Sequence, residues 1–198
     1  MFKNHIFKYL FCQVGVSLMI FSNSFADTKR PQPEEGFGRQ ESQLSVGRSI
    51  MVATAHPIAS KVGFEILKKG GTAADAAIAI QLALNVVEPQ SSGIGGGAFA
   101  LYWNASEKTL KSYDGRETAP KSATADMFLD EDGMKRQFWD VVPGGLSVGV
   151  PGTLALLEKL HLNFGSIAWK ELFEPAIDLA ANGFPVSSRL AKSIKRAR

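Results

Sequence analysis

The residues best placed to do chemistry sit in one short stretch. Ser91-Ser92-Gly93-Ile94-Gly95-Gly96-Gly97 is a glycine-rich turn, and a hairpin pattern then leads to Asp114-Gly115-Arg116-Glu117. Glycine lets backbone approach a ligand where any Cβ would collide. An arginine set in a tight turn offers a planar fork that matches a carboxylate. Arg116 is therefore a candidate clamp for an anionic substrate group beside bare main chain. The competing reading is an ordinary ion-paired surface arginine, and the residues alone leave both open.

Two other strings invite chemistry. Gly93-Ile94-Gly95-Gly96-Gly97-Ala98 superficially fits a dinucleotide fingerprint. That fingerprint needs a strand before it and a helix after it, so that phosphate meets a helix N-terminus. Here a helical pattern precedes and a strand pattern follows, and no Lys-Ser/Thr comes next as in a phosphate loop. A tight turn between helix and hairpin is the simpler account. Gly145-Leu146-Ser147-Val148-Gly149 matches the string of a nucleophile elbow, with His56 and His161 as candidate partners. Ser147 falls inside an alternating pattern after Pro143-Gly144-Gly145, so a strand with one polar face competes with a serine nucleophile.

Metal chemistry finds little support. Of the 3 histidines, His5 lies in the leader described below, and His56 and His161 belong to no metal-ligand spacing. Asp114 and Glu117 could act as paired acids, whereas Asp130, Glu131 and Asp132 read as a solvated turn.

The first residues are not read as part of the fold. Lys3 and Lys8 precede an apolar run from Tyr9 to Phe21, and Asn23-Ser24-Phe25-Ala26 puts small residues at −3 and −1 of a cut after Ala26. This is the pattern of a secretory signal peptide over residues 1–26. The run is short for a membrane span. Cleavage would leave 172 of 198 residues, with no cysteine, since the single Cys12 lies in the leader. Neither disulfides nor cysteine-bound metal are then expected. The net charge of +3 includes Lys3 and Lys8, and Arg189, Lys192, Lys195, Arg196 and Arg198 crowd the end, so the body is mildly acidic. A basic isoelectric point near 9.0 does not here signal nucleic acid. The expected location is periplasmic or secreted, with no membrane association after cleavage. The chain stops on a basic helical run without a stop signal and reads as cut short.

These groups need elements to position them. Residues 27–45 are polar, with Pro31, Pro33, Gly36 and Gly38, and read as a flexible mature N-terminus. Ser49 to Thr54 is short and β-prone. His56-Pro57 opens a helix that Gly70-Gly71 closes. Thr72-Ala73-Ala74-Asp75 has capping-box spacing, and the helix from Ala73 to Val87 is apolar on nearly every side. At roughly 1.5 Å per residue it spans about 22 Å, too short for a membrane, so it is read as core. Phe99 to Trp103 and Thr109 to Tyr113 form a hairpin. Met127 to Gly133 is an acidic turn. Leu146 to Val150 alternates like a strand, and Pro151 starts a helix to about Leu162. Ser166 is expected to cap a further helix that carries Leu172, Phe173, Ile177 and Leu179 and that Pro175 kinks. A last helix begins near Ser187. Mixed helices and strands with a helical second half make an α/β (α+β) layered fold.

Several of these segments together resemble the γ-glutamyltransferases (γ-glutamyltranspeptidases, glutathione hydrolases). The likeness runs from about Met51 to Ser188. It includes Met51-Val52-Ala53-Thr54-Ala55-His56-Pro57, Gly70-Gly71-Thr72-Ala73-Ala74-Asp75, Ser92-Gly93-Ile94-Gly95-Gly96-Gly97, Gly115-Arg116-Glu117-Thr118-Ala119-Pro120, Val150-Pro151-Gly152 and Glu174-Pro175-Ala176-Ile177-Asp178-Leu179-Ala180. Ala98 stands where the family would have another glycine. The resemblance implies that residues 46–198 are the N-terminal part of a large subunit, an incomplete portion of an N-terminal-nucleophile αββα sandwich. It implies a precursor that cuts itself in two, with the small subunit as partner. The new terminal threonine attacks γ-glutamyl amides such as glutathione, with its own α-amine as base, and passes the glutamyl group to water, amino acids or peptides. It implies no metal or cofactor, and it makes Arg116 the ligand of the substrate α-carboxylate.

The same resemblance places the cleavage site, the nucleophile and the oxyanion donors beyond residue 198. No catalytic residue is then expected in this chain, and the polypeptide alone is expected to be inactive. Its alanine-rich helix and strands are expected to lack covering layers. A non-catalytic truncated remnant, and a cephalosporin-acylase-like amide hydrolase on the same scaffold, are the alternatives.

Overall fold

The computed structural model describes residues 44–197. The leader expected over 1–26, and all but the last two residues of the polar stretch 27–45, lie outside the described residues. Helix α1 (Pro57–Lys68) and helix α2 (Ala73–Val87) open the fold, followed by strands β1 (Ala98–Asn104) and β2 (Thr109–Gly115). A single turn of helix, α3 (Phe138–Val141), precedes α4 (Thr153–Phe164). A 3-10 turn at Trp169–Leu172 leads into α5 (Glu174–Asn182), and α6 (Ser188–Arg196) ends the described chain. Among the described residues no helix is long and apolar enough to cross a membrane.

Helix α2 is the centre. Ile78, Ala79, Ala83 and Val87 are wholly buried, and α1, α4 and α5 pack around it. Small residues set the approach of α1: a Cβ on Gly63 would run into the Ile80 side chain. On the other side Leu156, Leu157 and Leu160 of α4 and Leu172 of the 3-10 turn complete the core. The alanine-rich helix is thus largely covered by this chain's own elements, contrary to expectation, because α1, α4 and α5 supply three walls.

The ends of α2 are tied by buried carboxylates. At the start, Thr72 and Asp75 form the expected capping box, with Thr72 N donating to Asp75 Oδ2 at 2.8 Å and Asp75 N donating to Thr72 Oγ1 at 3.2 Å. The same carboxylate also accepts from Ser166 N at 3.0 Å and from Ser166 Oγ at 2.8 Å. Ser166, expected as a helix cap, is instead the anchor of the α4 exit loop, because the wholly buried Asp75 carboxylate needs donors. At the far end, buried Glu88 accepts from Gln90 Nε2 at 2.6 Å and pairs with Arg189 Nη1 of α6 at 2.9 Å. That pair fastens the last helix to the root of the glycine turn.

Three more expectations fail for local reasons. Ser49 to Thr54 forms no strand among the described residues, its Val52 lying against α1 at Gly63. Leu146 to Val150 is a turn in which only Val150 bridges, to Thr118. Gly149 inside the segment and Gly145 directly before it weaken the strand, since neither brings a side chain to pack. Pro175 does not kink a helix; it occupies the first turn of α5, where its missing N–H costs nothing. The α1 start, α2, the hairpin, the acidic turn and the Ser187 cap of α6 follow the sequence pattern.

The hairpin is antiparallel, with Ala98 opposite Gly115 and Asn104 opposite Thr109. Its inner face rests on α4, where Tyr102 stacks on Phe164 with ring centres 3.8 Å apart. Its outer face carries Phe99, Leu101, Trp103 and Leu110, each more than half exposed. Contiguous apolar surface on an open strand pair drives association. The 198-residue chain should therefore sediment as aggregates, and Leu101→Thr with Trp103→Thr should shift it toward monomer without lowering its melting temperature.

Burial pushes the Asp75 carboxyl up, but the donors of Thr72 and Ser166 outweigh it and hold the group below its ordinary value. A depressed folded-state value stabilises the fold above the unfolded carboxylate range, near 4, and this is lost as pH falls through the folded value. Asp75→Asn should cost about 2 kcal/mol at neutral pH, since several buried donors lose their acceptor. Urea titration should show that gap narrowing below about pH 4.

Candidate functional site

Arg116 follows directly on β2. Asp114 Oδ1 accepts from the Arg116 amide at 2.9 Å, so the turn is closed by a side chain before the arginine leaves it. The Arg116 side chain is 67% exposed, and its Nη1 lies 3.0 Å from Glu117 Oε2. That carboxylate oxygen is buried and has no aligned hydrogen bond, so the contact is ionic and leaves acceptor capacity unused. Most of the guanidinium side chain stays open to solvent.

The glycine turn is where Glu117 sits. A Cβ on Gly97 would strike Glu117 Oε2, and one on Gly96 would lie 3.4 Å from Oε1. The turn is itself braced: Asn85 Oδ1 of α2 accepts from Ile94 N at 3.1 Å, and Gln81 Nε2 donates to Ser92 Oγ at 2.7 Å. The Gly96 carbonyl accepts from both Gly152 N and Thr153 N at 3.1 Å, at the entry to α4. Helix α4 begins at Thr153, two residues later than Pro151, and Gly96 O satisfies two of the amides that its start leaves without an intrahelical partner. The hairpin end, the glycine turn and the start of α4 meet at Arg116 and Glu117.

The other candidates disperse. Ser147 Oγ donates to Val142 O at 3.0 Å. His56 caps α1, its Nδ1 accepting from Ile58 N at 3.2 Å. His161 Nε2 donates to Ile167 O at 2.7 Å, and its ring meets the edge of Trp169. No Ser-His pair forms from these residues. Among the described residues no cluster of three His, Cys, Asp or Glu could hold a metal. Asp114 and Glu117 part company as well: one closes the turn, the other faces Arg116. What sequence reading missed was the Val148 to Thr153 segment as a wall of the site. Its signal was the pair of glycines at 149 and 152, which the strand reading discounted.

Comparison with known proteins bears on this geometry. The family model described as gamma-glutamyltranspeptidase matches residues 59–198. The chain belongs to the gamma-glutamyltranspeptidase family. It is 52% identical over 152 residues to the glutathione hydrolase proenzyme of Bacillus subtilis (strain 168), across 77% of this chain and 26% of that protein. The chain thus spans about a quarter of the length of that relative. The crystal structure of Helicobacter pylori gamma-glutamyltranspeptidase superposes with a TM-score of 0.73 at 39% identity, covering 78% of this chain and 44% of that one. A cephalosporin acylase from Bacillus halodurans superposes with a TM-score of 0.63 at 36% identity, covering 82% and 31%. The fold is therefore a portion of the N-terminal-nucleophile architecture shared by gamma-glutamyltranspeptidases and related acylases.

Within this family portion, Ser147 has a structural bond and no base. Ser147→Ala removes one exposed bond to a carbonyl and should cost about 1 kcal/mol or less in urea titration.

Proposed function

We propose that this chain contributes the α-carboxylate clamp of a γ-glutamyltransferase/glutathione hydrolase. The reaction moves the γ-glutamyl group of glutathione and related amides to water, amino acids or peptides. Arg116 binds the substrate α-carboxylate, and Glu117 holds the guanidinium from behind. The observation that carries this reading is an arginine fork mostly open to solvent, paired on one edge with a carboxylate seated on glycine backbone. A bidentate charge-assisted pair would orient the amino-acid end of the donor and leave its γ-amide projecting toward the nucleophile.

The acylating threonine, its α-amine base and the small subunit that carries them are supplied by sequence downstream of residue 198, released by self-cleavage of a precursor. Attack by that threonine forms the acyl-enzyme, and water or an amine then takes the glutamyl group. The signal-peptide pattern over residues 1–26 supports a location in the periplasm or outside the cell. The 198-residue chain alone should leave a γ-glutamyl anilide intact over hours. Cephalosporin-acylase-like hydrolysis is the second reading, favoured by the acylase likeness and disfavoured by a fork that suits an α-carboxylate.

In the full gene product, Arg116→Lys should raise KM for a γ-glutamyl anilide about tenfold or more and leave kcat within about threefold. An unchanged KM would falsify the clamp. Faster turnover of a glutaryl amide than of its γ-glutamyl counterpart would favour the acylase reading.

A further inference from the structure

We infer that Gly149 and Gly152 are positioning residues that set the direction of Arg116, an inference that rests on the reading of that arginine as a carboxylate clamp. The segment that resembled a nucleophile elbow thus acts through its backbone and not through its serine. A Cβ on Gly149 would lie 2.9 Å from Glu117 Cβ and 3.2 Å from Thr118 O. A Cβ on Gly152 would strike Gly115 O and lie 3.0 Å from Arg116 O. Bare backbone therefore presses on the chain immediately before Arg116 and immediately after it.

Hydrogen bonds lock this contact in register. Val150 N donates to Thr118 O at 2.9 Å, and Thr118 N donates back to Val150 O at 3.3 Å. Gly152 N donates to Gly96 O at 3.1 Å, which joins the same wall to the glycine turn beneath Glu117. Glu117 is held between Gly149 on its Cβ side and Gly97 at its carboxylate. Its backbone and its head are both fixed, so the oxygen that meets Arg116 Nη1 has one place to be. Neither φ is in the left-handed region at Gly149 or Gly152. The requirement for glycine there is space, not backbone conformation. An added methyl must shift Glu117 or the Arg116 peptide by several tenths of an ångström, and clamp geometry is sensitive on that scale.

The test compares Gly149→Ala, Gly152→Ala, Arg116→Lys and Ser147→Ala in the full gene product. Each is assayed on γ-glutamyl p-nitroanilide and on γ-aminobutyryl p-nitroanilide, which lacks the α-carboxylate. Circular dichroism and melting temperature report the fold. The expected result is a KM rise of about tenfold for the glutamyl substrate in both glycine variants, with kcat within about threefold. Their preference for the carboxylated substrate should fall toward that of Arg116→Lys, while Ser147→Ala behaves as wild type. If Arg116→Lys loses the preference and folded Gly149→Ala and Gly152→Ala keep it, the positioning role is wrong and the clamp stands. If Arg116→Lys also keeps it, the clamp itself fails. Unfolding of both glycine variants overturns the inference too, since the glycines would then serve the fold and not the arginine.

Discussion

Main chain packs on main chain where β2 hands over to the Arg116 turn, and the rest of the site depends on that contact. Gly115 faces Gly152, with no room for a Cβ on either residue. Contact at this range brings carbonyls and amides of both segments within reach, and these bond across it, at Gly96 to Gly152 and at Thr118 to Val150. A side chain in the gap would separate the segments and break those bonds. The arginine thereby emerges from a rigid base although its own side chain is largely exposed.

Two buried carboxylates perform a comparable task at larger scale. Asp75 and Glu88 sit at the two ends of α2, and each reaches an element distant in sequence: Asp75 the Ser166 loop, Glu88 the α6 arginine. A buried carboxylate is tolerated only when donors surround it. The donors that satisfy these two are also the ties that place α4 and α6 around the core helix. The polar residues of α2 therefore specify where its neighbours go, while its alanines and Ile78 supply the apolar contact. Glu88 adds a link to function, because it lies directly before the glycine turn.

The Arg116–Glu117 pair shows how an exposed arginine can still be given a direction. Glu117 is a resident partner whose position is limited by glycine on two sides, so it orients the guanidinium without enclosing it. The rest of the guanidinium is largely open to solvent. An isolated surface pair of this kind contributes little to stability. Its value lies in direction.

What the sequence by itself determined was local. The capping box of Thr72 and Asp75, the full extent of α2, the existence of the hairpin and the turn that launches Arg116 all follow from contacts within a few residues, where periodicity and turn chemistry act directly. The family likeness was legible too, because several ordered motifs agree along one chain. Tertiary structure alone decided which wall Glu117 leans on, that Ser166 serves a carboxylate 91 residues away, and that Leu146 to Val150 forgoes strand pairing to lie on the arginine turn. Those outcomes turn on space and unpaired polar groups contributed by segments far apart in the chain. No local pattern encodes how closely two backbones will meet; glycine permits it, and only the assembled fold determines where that permission is used.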